Sequence, residues 1–126
     1  MKVVLFGASG GVGRLLLREL LDQEHTIEAG VRDPAKIDVH HARLTVVRGD
    51  VTDPEAVRSA VADAEAVVSV VGQSRGSPTD LLARFAANLG PALAGTDVQR
   101  VVTLVGAGVT WPGDGPPGLG RRAMWR

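Results

Sequence analysis

The chain has 126 residues, 44% of them apolar, and its 14 basic and 14 acidic side chains cancel to a formal net charge of zero. That is one domain's length with enough apolar material for a core, and the balanced charge offers no field to gather nucleic acid or an anionic membrane. Apolar runs such as Ala64 to Val71 are too short to span a bilayer. No charged-then-apolar leader precedes the first predicted strand at residue 2, and there is no cysteine, so a cytoplasmic location is expected.

The first strand, β1, is predicted at Lys2–Phe6. It ends in Gly7-x-x-Gly10-x-x-Gly13, and a helical apolar pattern (Leu15, Leu16, Leu17, Leu20, Leu21) follows at once, giving helix α1 from Gly11 to about Gln23. A strand, a glycine turn and a helix N-terminus form the geometry in which backbone N–H groups and the helix dipole hold a dinucleotide's pyrophosphate. Gly7 lets the chain turn sharply, Gly10 lets the backbone approach the phosphates and Gly13 lets the helix lie close on the sheet. Ser9, Gly10, Gly11, Val12 and Gly13 are thus expected to wrap the pyrophosphate.

Strand β2 is predicted at Thr26–Val31. Arg32 follows it directly, where NAD-preferring folds place an acid for the ribose 2′-hydroxyl. A guanidinium there grips a 2′-phosphate with two charge-assisted bonds, so NADP is expected, with NAD as the alternative cofactor. Lys36, one turn on, is placed to assist, while Asp33 before Pro34 reads as the cap of a short turn.

Strand β3 is predicted at Leu44–Val47 and helix α2 from Pro54 to about Val61, announced by the cap-proline-acid sequence Asp53-Pro54-Glu55. Strand β4 is predicted at Ala66–Val71. Ser77-Pro78-Thr79-Asp80 repeats the capping logic and starts helix α3 at Pro78; it runs to about Leu93, and Gly90-Pro91 is expected to kink or stop it. Strand β5 is predicted at Val101–Val105, and from Gly106 to Gly120 glycine and proline give loop chemistry. His25, His40 and His41 show no metal-ligand spacing, so a surface position and no metal site are expected.

Continuous β-branched strands alternating with helices point to an α/β fold: a Rossmann-like, doubly wound parallel sheet in the order 3-2-1-4-5 with helices on both faces. The expected division is a dinucleotide-binding domain over residues 1–110 and a tail over 111–126. Val71, Gly72 and Gln73 follow β4, close to the sheet's switch point, where ligands settle. Strand β5 becomes an edge, a place for homo-oligomer formation.

Phe6-Gly7-Ala8-Ser9-Gly10-Gly11-Val12-Gly13, Val31-Arg32-Asp33-Pro34-Ala35-Lys36, Gly49-Asp50-Val51-Thr52-Asp53, Val67-Val68-Ser69-Val70-Val71-Gly72 and Arg100-Val101-Val102-Thr103-Leu104-Val105-Gly106-Ala107-Gly108-Val109 occur in that order. Together they resemble the atypical short-chain dehydrogenase/reductase proteins, in their NmrA-like, NAD(P)H-binding branch, whose members are markedly longer. The resemblance implies that Asp50 accepts a hydrogen bond from the adenine amino group, the alternative being that it caps the turn after β3, that Val51 packs on the base, and that Val105, Gly106 and Ala107 border the nicotinamide half. It also exposes departures. The wider superfamily transfers protons through a Tyr-x-x-x-Lys pair, but this chain has no tyrosine and its only lysines are Lys2 and Lys36. Val105-Gly106 replaces the serine often found after β5. No catalytic residue is therefore assigned. The expected function is binding of NADP(H), either as an oxidoreductase-like protein without the usual acid–base pair or as a non-catalytic redox sensor or cofactor-binding fragment. His40 and His41, before β3, are expected on the adenine half, away from the hydride.

Overall fold

Strands β1 (Lys2–Phe6), β2 (Thr26–Val31), β3 (Leu44–Arg48), β4 (Ala66–Ser69) and β5 (Arg100–Thr103) pair in parallel in the order β3-β2-β1-β4-β5 in the computed structural model, which describes residues 1–104. The expected sheet order is therefore the observed one. The register runs Val3↔Ile27, Leu5↔Ala29 and Ile27↔Leu44 on one side of β1. On the other side it runs Val4↔Val67 and Val67↔Val101.

Val3, Val4, Leu5 and Phe6 are all buried because β1 is central and covered on both faces. Odd positions pack with Ile27, Ala29 and Val31 beneath helix α1 (Gly11–Asp22), through Leu17 and Leu21. Even positions pack with Val67 beneath helices α2 (Pro54–Val61) and α3 (Leu81–Leu93), through Val57, Val61, Phe85 and Ala92. Phe6 and Phe85 meet edge to face with ring centres 4.9 Å apart, the arrangement the ring quadrupoles favour. Strand β2 is continuous in sequence but alternates in burial, since Glu28 and Gly30 are only half covered, and every residue of β5 is exposed.

The ends of α3 and β4 have identifiable local causes. Helix α3 begins at Leu81 instead of Pro78, because the Ser77 hydroxyl closes a turn with Ser74 (Oγ to Oγ 2.8 Å) and does not cap the helix. Helix α3 ends at Leu93 as expected and runs through Pro91, so Gly90-Pro91 does not stop it. The proline ring is exposed while Ala92 is buried and Leu93 half-buried, so packing of the last turn offsets one missing hydrogen bond. Strand β4 ends at Ser69, two residues early, as the Ser69 hydroxyl accepts from the Val71 N–H at 3.3 Å. No helix among the described residues is long and apolar enough to cross a membrane.

Candidate functional site

The carboxyl ends of β1, β2, β3 and β4 meet at one edge of the sheet, and the expected ligand-binding residues cluster there. At β1 the chain leaves Phe6 through Gly7, whose φ of 90° lies in the left-handed region. A Cβ on Gly7 would also sit 2.8 Å from the Val70 carbonyl carbon, so the backbones after β1 and β4 touch. The Gly10 N–H closes the turn on the Gly7 carbonyl at 3.2 Å.

Gly10 is the N-cap of α1, without a side-chain capping bond and without an acid in the first turn. Helix α2 is the contrast: the Asp53 carboxylate accepts from the Glu55 N–H at 3.0 Å, and Glu55 stands in its first turn. The leading N–H groups of α1 thus have no side-chain cap, and the positive end of the helix dipole stands behind them. A Cβ on Gly11 would meet nothing within 4 Å, and one on Gly10 only the Gly7 carbonyl oxygen at 3.6 Å. Open space thus faces that helix end. Ser9 is half-buried beside it, and Val12 is exposed.

Beyond β2, Arg32 is exposed. Asp33 caps the short 3₁₀ turn Pro34–Lys36, accepting from the Ala35 N–H at 3.1 Å, as its sequence implied. Arg14 of α1 reaches the Lys36 carbonyl with its Nη2 at 3.4 Å, tying this turn to the helix.

Beyond β3, Asp50 Oδ1 accepts from both the N–H and the hydroxyl of Thr52, at 2.9 and 2.8 Å. The Thr52 N–H holds the Asp50 carboxyl below its ordinary pKa, partial burial opposes this, and the Thr52 hydroxyl and the charges of Arg32 and Arg84 assist. Val51 is half-buried against the core on the α2–α3 side. A crevice of about 20 Å³ runs beneath, lined in part by Phe6, Gly30, Gly49, Ala56, Val57 and Ala60.

Beyond β4, Val71 is half-buried and Gly72 is exposed, with open space where a Cβ would project. The Gln73 amide turns back to donate to the Pro78 carbonyl. Val105, Gly106, Ala107 and the tail lie outside the described residues. His40 and His41 precede β3 and so stand by its amino end, where the Leu44 N–H bonds the His41 carbonyl at 3.0 Å. They are at the opposite end of the strand from Asp50, not beside the adenine half as expected. His25 is half-buried, with Nδ1 3.3 Å from the chain's amino group, and His40 and His41 are exposed.

Two polar residues of α3 were not singled out in the sequence. Asn88 donates from Nδ2 to the Val51 carbonyl at 2.9 Å, and Arg84, one turn earlier, puts its charge near Asp50. An asparagine in the interior of a predicted helix was the available signal, because asparagine is a poor helix former that needs another reason to be there.

A family model described as NAD(P)H-binding matches residues 7–126. Among solved structures, a candidate epimerase from Bacteroides thetaiotaomicron is 32% identical, with a TM-score of 0.72 over 85% of this chain and 48% of its own. An oxidoreductase from Lactococcus lactis is 28% identical, with a TM-score of 0.67 over 82% of this chain and 47% of its own. A 3-beta-hydroxysteroid dehydrogenase from Mycolicibacterium neoaurum is 39% identical over 61 residues, 48% of this chain and 16% of that protein. The chain thus spans about half the length of the two solved structures and a sixth of the dehydrogenase.

Proposed function

The chain belongs to the NAD(P)H-binding family, and from that premise we propose that it holds NADP(H) across the carboxyl edge of its sheet. The observation that carries the reading is the α1 N-terminus: an uncapped helix end, free of acids, facing open space at Gly10 and Gly11. The segment from Ser9 to Gly13 wraps the pyrophosphate through its backbone N–H groups other than that of Gly10, which closes the turn on Gly7. Gly7 and Gly13 support them by setting the turn.

Arg32 takes the ribose 2′-phosphate, with Lys36 adding charge, which selects NADP over NAD. Asp50 and Val51 form the adenine wall, the carboxylate accepting from the base's amino group. Both Thr52 bonds fall on Oδ1, so Oδ2 serves the base. Val71, Gly72 and Gln73 border the ribose on the way to the nicotinamide. The dinucleotide domain runs to about residue 110, with residues 111–126 as its tail. A cytoplasmic location accords with this reading. So does self-association at β5, where Val101 and Val102 are exposed.

Bound nicotinamide supplies a hydride, but the chain has no tyrosine and no lysine after Lys36 to move the accompanying proton. These 126 residues by themselves act as a cofactor-binding module or sensor, or as a reductase whose acceptor needs little proton assistance. The test is nicotinamide fluorescence on titration with NADPH and NADH. Saturable binding with NADPH the tighter ligand is expected; no binding of either, or a preference for NADH, overturns the reading.

A further inference from the structure

The adenine wall does not stand on its own turn alone. Within residues 50–53 the turn is held by the two Asp50–Thr52 bonds and by the Asp53 N–H on the Asp50 carbonyl at 2.9 Å. These bonds connect near neighbours and fix the turn's internal shape. They do not fix how far it stands from the helix layer.

The Asn88 amide bonds the turn to that layer, reaching from α3 to the Val51 carbonyl across 37 residues of sequence in a partly buried position. Asparagine is disfavoured inside helices because its side chain competes for nearby backbone groups. Here that capacity is spent on another element, with Leu89 and Leu93 of the same helix packed on the α2–α3 side of the core.

In a right-handed crossover from β4 to β5, helix α3 runs back along the sheet, so its N-terminal end stands at the carboxyl edge of the strands. Arg84 is one turn nearer that end than Asn88, and its charge reaches Asp50. Helix α3 also begins at the end of the loop whose first residues, Val71, Gly72 and Gln73, border the ribose in the reading above. Helix α3 therefore bonds the Asp50–Val51 turn and follows the β4 loop in the chain.

We propose that Asn88 is a positioning residue for adenine recognition: its amide holds the Val51 carbonyl, and with it the Asp50–Val51 wall, at the spacing the base requires. The proposal rests on the reading that Asp50 and Val51 face the adenine. Asn88 touches no ligand itself.

The test uses the full chain and two ligands, NADPH and adenosine 2′,5′-bisphosphate, which keeps the base and the 2′-phosphate but lacks the nicotinamide. Failure of the wild type to bind the bisphosphate would sink the underlying reading of the adenosine site, and the proposal with it. If it binds, Asn88→Leu, which keeps the branched four-atom shape and removes the donor, is expected to weaken both ligands by the same factor, about fivefold, the worth of one net hydrogen bond. Asn88→Gln, which retains the amide one carbon further out, is expected to recover part of that loss. Unchanged bisphosphate affinity in a folded Asn88→Leu protein overturns the proposal. So does a loss for NADPH much larger than for the bisphosphate, which would mark general damage to the phosphate turn. Should Asn88→Leu not fold, Asn88→Gln and Asn88→Ala decide it: equal affinities for the bisphosphate overturn the assignment, and a tighter Gln variant supports it.

Discussion

A Cβ on Gly13 would lie 1.9 Å from the carbonyl oxygen of Gly7, inside any tolerable contact, whereas one on Gly10 would meet that same oxygen at 3.6 Å. The two glycines therefore have different duties. Gly13 is demanded by the fold, because helix α1 lies directly on the turn that starts it. Gly10 has an extended backbone with φ of −77° that any residue adopts, so its lack of a side chain serves what sits outside. Gly13→Ala is expected to lose about 3 kcal/mol of stability or more through overpacking against backbone, read as a fall in the urea midpoint. Gly10→Val is expected to keep most of the fold and to abolish NADPH binding by filling the open space before the helix. A folded Gly10→Val protein with wild-type NADPH affinity would remove the phosphate role of this turn.

Arg32 stands beyond β2, close enough for its charge to lower the Asp50 pKa. Losing a bidentate, charge-assisted contact typically costs about 1.5–3 kcal/mol, roughly ten- to a hundredfold in affinity. Arg32→Ala is expected to weaken NADPH by that factor and NADH by much less, measured by fluorescence titration of both cofactors. Equal loss for the two would show that the guanidinium does not read the 2′-phosphate.

What could be read in the sequence was local. The β1–Gly7–α1 unit and the caps of Asp33 and Asp53 depend on residues a few positions apart, and each formed as its sequence implied. The parallel order followed because continuous apolar strands alternate with helices. What escaped was decided by competition or by distance. Ser77 had two partners available and took Ser74 over the helix end. Pro91 was judged by propensity, but burial of Ala92 in the last turn outweighed it. The Asn88–Val51 bond joins residues whose proximity only the packing of α3 creates. Within the candidate site, the positions of Arg32 and the glycine turn were legible because they follow directly from strand ends. The commitment of the Gln73 amide to the Pro78 carbonyl was not.

Gly30 is a strand glycine with a small gap beside it. Its Cβ would contact the Phe6 ring at 3.4 Å, an ordinary distance, in the crevice shared with Val47, Ala56 and Ala60. Interior strand glycine costs roughly 0.5–1 kcal/mol relative to alanine. Gly30→Ala is accordingly expected to raise stability by about 0.5 kcal/mol and to lift the thermal midpoint by a few degrees. A fall in the midpoint would mean that the Phe6–Phe85 pair does not give way to the added methyl.

Asp50 links folding to pH. The Thr52 N–H bond above all, helped by the Thr52 hydroxyl and the charges of Arg32 and Arg84, holds its folded pKa below the ordinary 3.8. A carboxyl whose pKa is depressed on folding contributes stability that is fully present above its unfolded value and is lost as pH falls through the folded value. The wild type is therefore expected to lose more stability than Asp50→Asn when urea unfolding is compared at about pH 6 and about pH 3, since only the former has this carboxylate to protonate. Parallel pH dependences for the two proteins would show that Asp50 is not stabilised as an anion by its turn.

Catalysis by the superfamily's usual route needs a tyrosine whose proton transfer is helped by a lysine, and the 126 residues hold no tyrosine and only Lys2 and Lys36. Lys2 opens β1, at the far end of the strand from the glycine turn, and its ammonium is paired with Asp63. Lys36 belongs to the turn after β2, on the adenosine half. His40 and His41 stand by the amino end of β3, away from the carboxyl edge where a hydride would pass. General acid–base help is worth about 10²–10⁴-fold, and none of these groups is placed to give it. The purified 126-residue chain is expected to bind NADPH yet to reduce simple ketones no faster than free NADPH does, with no rate change between about pH 6 and pH 9 that reports an essential acid. Slow transfer to a quinone or flavin, which needs little proton assistance, is compatible with the site. Rapid ketone reduction with a pH profile governed by one acidic group would show that the chain carries a proton donor that these residues do not account for.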